Sequence, residues 1–233
     1  VPELTVQCQI DSYMQTPQQD TNFGGDSVIL LGATYAGPTK TFLDRPIANF
    51  DVGALAGQQI NTAKLVRSIV SLAGGGFAAH IFRCTRPATW TELGVTWKKY
   101  DGTTEWTTHG GDWDAAVPTP VPYAEATAFG IHEIFGLGEF VEDALTLRSG
   151  IVSLIMKADD ENPGANHNLG WNARQTPPGW QLVIDHGSTA DLGRRGGAGR
   201  GAGATAHAGT PAARPRAGAA PASPVRPTQG AHP

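Results

Sequence analysis

The fold class predicted by this sequence is all-β: an antiparallel β-sandwich with one short helix, followed by a disordered tail. Three observations lead there. The 233 residues include 30 Gly and 17 Pro, enough for many turns and few long helices. Apolar side chains alternate, as in Leu4, Val6, Cys8 and Ile10, which is the period of a half-buried strand. β-branched residues gather in short runs bounded by glycines, as in residues 60–72 before Gly74-Gly75-Gly76. The chain is long enough to bury a sizeable core. It holds no run of 18 apolar residues, so no membrane span is expected.

Taken in order, residues 4–14 read as the first strand. A polar loop over residues 15–26 follows, containing Asp20-Thr21-Asn22-Phe23-Gly24-Gly25-Asp26. Asp20, Asn22 and Asp26, joined by Asp11 if the loop folds back, are candidate oxygen ligands for Ca²⁺. The competing reading is that Asp and Asn cap tight turns through their own backbone. Residues 27–32 and 39–50 are further strands, and Asp44-Arg45 reads as a structural contact rather than a catalytic pair. Residues 60–72 read as a long strand, against a competing helix over residues 62–72. The expected partner of this strand is the next one, residues 78–85, across the triple-glycine turn. Residues 129–134 and 151–156 are strands, and residues 180–185 (WQLVID) close the sheet. Residues 139–148 form the helix, with Phe140, Val141, Ala144 and Leu145 on one stripe and Gly150 beyond its end. Residues 159–162 and 166–168 read as a polar surface loop.

The tryptophans carry the functional reading. Trp90 and Trp97 flank strand-like runs and read as caps on an open end of the sandwich. Residues 98–122 place Tyr100, Trp106, His109, Asp112 and Trp113 among Gly, Thr and Pro. Aromatics on loops stack against the apolar face of a sugar while polar neighbours fix its hydroxyls. Trp106, Trp113, Tyr100, His109 and Asp112 are therefore the candidate ligand-binding residues, with capping of the sandwich as the alternative for the aromatic ones. Cys8 and Cys84 both fall in expected strands with inward-pointing thiols, either as a buried disulfide or as two buried free thiols.

Several stretches together carry a resemblance. A first strand ends Asp11-Ser12-Tyr13, Asp20-Thr21-Asn22-Phe23-Gly24 follows, and a later strand ends Ala48-Asn49-Phe50-Asp51. Thr62-Ala63-Lys64-Leu65 then precedes Trp90-Thr91-Glu92-Leu93-Gly94-Val95-Thr96-Trp97. This order resembles the DNRLRE domain, which overlaps the family-96 carbohydrate-binding modules. The chain departs from that family where Asn49-Phe50-Asp51-Val52-Gly53 replaces its usual Lys/Arg-Phe-Asp-Leu-Ser, and where Thr62 replaces a serine. The resemblance spans roughly residues 3–186 and is most specific at the Trp-Thr-Glu…Thr-Trp motif. It implies a jelly-roll type of sandwich with a non-catalytic, often sugar-binding or adhesive role. Such domains occur in secreted bacterial and archaeal proteins and in bacteriophage structural proteins.

Charge is divided unevenly. Residues 187–233 carry six Arg and one Asp, while the whole chain has a formal charge of −4, so the rest is acidic. An acidic body argues against nucleic-acid binding by the folded part. The expected organisation is a binding domain over residues 1–186 and a Gly/Ala/Pro/Arg-rich tail over residues 187–233, too poor in apolar surface to order itself. The expected function is a non-catalytic binding or adhesion module outside a cell or on a virion, with glycan as ligand and Ca²⁺ as a candidate stabiliser. The alternative is a structural subunit of an assembly, such as a phage decoration or fibre protein, with neighbouring subunits as partners and oligomer formation expected. An enzyme acting on polysaccharide ranks third, because no pair of carboxylates stands out by spacing.

Overall fold

The structure is a computed structural model that describes residues 2–188 apart from 75, 87 and 88. Gly187 and Ser188, counted with the tail, end the last strand, and the expectations for the rest of the tail lie outside the described residues. The strands in chain order are β1 (Glu3–Gln7), β2 (Ile10–Thr16), β3 (Val28–Ala36), β4 (Thr39–Asp51), β5 (Gln58–Ala73), β6 (Ala78–Cys84), β7 (Trp113–Asp114), β8 (Val121–Ala124) and β9 (Gly130–Phe135). Helix α1 (Gly138–Leu147), β10 (Ile151–Ala158), β11 (His167–Asn172) and β12 (Gln181–Ser188) complete the described chain. Every strand pairing among the described residues is antiparallel. The predicted all-β antiparallel class with one helix is the observed one, and no described helix is long and apolar enough to cross a membrane.

The curl of the sheet follows from register. The first half of β4 pairs with β3 (Asp44 opposite Gly32), and its second half pairs with β10 (Phe50 opposite Val152). β2 pairs with β4 from Leu43 to Asn49 and overlaps both registers, so it occupies the opposite edge. β3 and β10 thus share one edge of β4, end to end, and the sheet divides there into two layers. One runs β3-β11-β5-β12-β1, and the other runs from β4 through β10 and β6 to β7 and β8.

Alternation along β4 shows what lies on each side. Ala48 and Phe50 enter the main core with Leu31, Leu65, Ile81, Leu154, Trp171 and Trp180. Leu43 and Ile47 point the other way, into a second core with Met14, Cys84, Trp90, Val95, Trp97, Tyr100 and Trp106. That second core is the chain between β6 and β7 folded over the outer face of the sheet. It also decides the thiol question. Cys8 lies in one core and Cys84 in the other, so both are buried and free rather than bridged.

Several expectations need correction. β5 does not pair with β6; it pairs with β12 and β11 on one edge and β9 on the other. The reason is that beyond Gly74 the chain passes to the other layer, where β6 begins at Ala78, instead of making a hairpin. Gly74 starts this crossing at a φ of 89°, with the Asn166 carbonyl standing where a Cβ would be. The single strand expected over residues 4–14 is two: at Cys8 and Gln9 the backbone leaves Trp180 for Asn49, through bonds of 3.2 and 2.9 Å, and so changes layer. Residues 167 and 168, expected in a loop, open the inner strand β11.

The alternation of β5 puts one charge inside. Leu65 and Ile69 face the core, so Arg67 between them does too, at 1% exposure. Its guanidinium meets the fully buried Glu125 at 2.6 and 3.3 Å and lies over the rings of Trp171 (4.7 Å) and Tyr123 (5.1 Å). This pair fills the side of the sandwich between edge strands β8 and β9. Removing one partner strands a buried charge, so Arg67→Met or Glu125→Leu alone should cost about 3–5 kcal/mol. The double variant should cost less than either single change, as read from urea unfolding at neutral pH. A double variant as unstable as the sum of the singles would contradict the pairing.

Candidate functional site

Between β6 and β7 the chain has little regular backbone, so side chains hold it. Trp90 Nε1 donates to Asn49 Oδ1 (2.9 Å) and Ser153 Oγ (3.2 Å) on the sheet beneath. Trp106 Nε1 donates to the Thr96 carbonyl (3.0 Å), and Gly110 N to the Trp97 carbonyl (2.6 Å). Arg45, rising from β4, lies over Trp97 (4.7 Å) and Trp113 (5.1 Å), donates to the Gly110 carbonyl (3.1 Å), and forks onto Glu161 at 2.7 and 2.8 Å.

These contacts leave an open cleft of about 500 Å³ lined by Thr85, Arg86, Thr107, Thr108, Asp112 and Trp113, with Gly111 at its base. Asp112 organises one wall. Its Oδ1 accepts the Thr108 N–H (2.8 Å) and its Oδ2 accepts the Thr107 N–H (3.0 Å) and, more loosely, Arg86 Nε (3.4 Å). Burial opposes its ionisation, but the donors of Thr107, Thr108 and Arg86 together hold its pKa below the usual carboxylate value. A carboxylate held this way is a poor proton donor. Arg86 lies over the Tyr100 ring (4.9 Å) and reaches Thr107 Oγ1 at 3.4 Å. The cleft thus offers threonine hydroxyls, a guanidinium and a half-buried indole.

Of the residues singled out in the sequence, the structure brings Asp112 and Trp113 to this cleft. Trp106 and Tyr100 do not form an exposed platform. At 3% and 8% exposure they are core, packed with Trp90, Val95 and Trp97 over the sheet. His109 is half-exposed beside Glu105 at 3.9 Å and does not line the cleft. Trp90 and Trp97 are buried in the second core, against the outer face of the sheet. Sequence reasoning missed Thr85, Arg86, Thr107 and Thr108. The adjacent Thr107-Thr108 beside a Gly-rich turn was a usable signal, whereas nothing local marks Arg86.

The residues proposed for Ca²⁺ have other partners. Asp11 is fully buried, its Oδ2 accepting Trp180 Nε1 (2.6 Å) and Arg174 N (2.7 Å). Asp20 pairs with Lys98 at 2.8 Å, and Asp26 accepts the Tyr13 hydroxyl at 2.7 Å. Asn22 donates to the Glu92 and Val95 carbonyls, both at 2.7 Å, and its Oδ1 accepts Gly24 N at 3.1 Å. Among the described residues no group of three or more His, Cys, Asp or Glu comes together to hold a metal ion. In this arrangement the loop of residues 20–26 is the seat on which Glu92–Val95 docks. Gly24 is needed there because the Glu92 carbonyl occupies the place of a Cβ. Compared with known proteins, the chain matches no family model and no curated protein.

Two buried carboxyls set a pH dependence. Burial pushes Asp44, whose hydrogen-bond donor is Gln15 Nε2 (2.7 Å), up to about 7, and pushes Asp11 up to about 6. The folded chain keeps these protons up to those values, whereas the unfolded chain releases them near the ordinary value of about 4. Their contribution to stability is therefore full below about pH 4 and is lost as pH rises through about 6 to 7. Asp112, Asp114 and Asp101 are shifted down, so their contribution is present above the ordinary value and lost in more acidic solution. Together these groups favour a maximum near pH 4. The unfolding free energy from urea titration should fall between pH 4.5 and 7.5 by up to about 1.4 kcal/mol per pH unit for each raised group. Asp44→Asn, which keeps the shape without the charge, should flatten that slope; an unchanged slope would contradict the role of Asp44.

Proposed function

We propose that this chain is a non-catalytic carbohydrate-binding module that takes its ligand in the cleft of Thr85, Arg86, Thr107, Thr108, Asp112 and Trp113. The observation that carries the reading is the meeting, in one open concavity, of hydroxyls, a guanidinium and a partly exposed indole. An indole can cover the apolar face of a sugar while the polar groups fix its hydroxyls. The resemblance to the DNRLRE and family-96 modules supports the same reading, as does the placement of Asp112 and Trp113 by the fold. Display outside a cell or on a virion surface belongs to this proposal.

A second reading, the subunit of an assembly such as a phage decoration protein, draws on a different observation. Phe129, just before edge strand β9, and Ile131 and Phe135 within it are 58–68% exposed, with Val70 also exposed on neighbouring β5. Unguarded apolar edges attract further chains.

The test is a glycan array probed with the full chain and with Trp113→Ala and Arg86→Ala. Binding by the native chain should weaken about tenfold or more in each variant, while far-UV circular dichroism stays unchanged. Silence of the native, folded chain across the array would overturn the glycan reading. Concentration-dependent assembly under the same conditions would then favour the subunit.

A further inference from the structure

A second concavity lies away from the cleft and has a different chemistry. It is a groove of about 370 Å³ between the start of β5 and the start of α1, with Ile60, Ala63 and Phe135 as its apolar lining and Glu139 and Glu142 at its rim. Phe135 is 63% exposed. It also lines a smaller hollow that includes Glu3 and Asp185. The cation at this hollow, Lys64, is engaged by Glu133 at 2.9 Å. Among the described residues no salt bridge engages Glu139 or Glu142. The groove is thus apolar at its base and acidic around its rim.

Strand β12 carries the chain to this place. His186 pairs with Ile60, which lines the groove, and Ser188 pairs with Gln58 at the start of β5. The next residues are Thr189-Ala190-Asp191-Leu192-Gly193-Arg194-Arg195, outside the described residues. Leu192 is the one large apolar residue before Val225 in this part of the chain, and Arg194 and Arg195 follow it directly. Four residues beyond Ser188 can reach roughly 14 Å, enough to fold back from Gln58 over Ile60.

We propose that residues 189–200 dock into this groove of their own chain, with Leu192 against Phe135 and Ile60, and Arg194 and Arg195 turned to Glu139 and Glu142. Three observations select this occupant over a foreign one. The segment leaves β12 opposite Gln58, its one bulky apolar side chain falls within reach of Ile60 in the groove lining, and its charge is opposite to that of the rim. Docking would cover the exposed Phe135 and leave the more distal arginines free. The ligand cleft plays no part in this, so the inference stands apart from the carbohydrate reading.

Limited trypsin digestion of the full chain tests it, because a protease cuts a docked segment only when it opens. Arg195 and Arg200 lie in the docked segment, and Arg216, followed by Ala217, serves as an internal reference beyond it. At low ionic strength, cleavage after Arg195 and Arg200 should be roughly fivefold or more slower than after Arg216. The difference should vanish in high salt and in Glu139→Gln/Glu142→Gln. Leu192→Ser, which changes nothing in the described core, should abolish it too. Equal cleavage rates in the native chain at low salt, or protection that survives both variants, would overturn the proposal. Protection that disappears on dilution would assign the segment to the groove of a neighbouring copy and would equally overturn docking within one chain.

Discussion

A long stretch of chain without regular backbone must be held on the outer face of a sheet, and the rest of the site depends on how that is done. Extended irregular connections are uncommon in compact domains and tend to be functional where they occur. Here the anchor is a cation. Arg45 ties β4 to both Trp97 and Trp113 through its guanidinium face, to Gly110 through one donor, and to Glu161 through a fork. Gly110 has a φ of 88°, and a side chain there would collide with both Arg45 and Trp97. The position of the Trp113 indole is therefore fixed from beneath, by the sheet, rather than from within the loop that carries it.

The same economy appears in the second core. Its indole nitrogens need partners because a buried donor left unmade costs about 1–3 kcal/mol. Asn49 and Ser153 supply them for Trp90, and the Thr96 carbonyl does so for Trp106. A purely apolar face would let the loop settle in several registers. Directional bonds from fixed strand positions leave one, which is the specificity that fully satisfied buried polar networks confer. The docking of Glu92 and Val95 onto Asn22 repeats the device at the other end of the stretch.

How much of this was legible follows from the range of each interaction. Composition and periodicity are local, so the β-branched content of β5 could distinguish it from its competing helix, and α1 could be placed by its apolar stripe. Pairing is not local. The sequence Gly74-Gly75-Gly76 looks like a hairpin turn whether the chain turns back or crosses to the opposite layer, and only the far strands β11 and β12 decide it. β11 itself was hidden because it opens His-Asn and carries Gly170, whose missing side chain makes room for Val28 and Leu30. The site divides in the same way. Trp106 and Trp113 stand in similar surroundings in sequence, yet one is core and the other lines the cleft, a difference made by Thr96 and Arg45 rather than by their neighbours. Arg67 reads as a surface residue on a long strand until alternation is followed strictly; its partner Glu125 is invisible without the fold.

The cleft's acid illustrates why charge alone is a poor guide to chemistry. Asp112 lies beside hydroxyls and a guanidinium, where a proton-transfer group would be sought. Its two oxygens are nevertheless taken by backbone N–H groups of the turn, with Arg86 beyond, and these donors favour the ionised form. What it supplies instead is shape: the Thr107–Thr108 backbone is pinned, so that wall of the cleft exists before any ligand arrives. A preformed wall spares a ligand the entropy of ordering the loop, and for a sugar, whose hydroxyls gain little over water, that saving is a large part of the binding free energy. On the proposed reading, the carboxylate would serve recognition through the wall it holds in place.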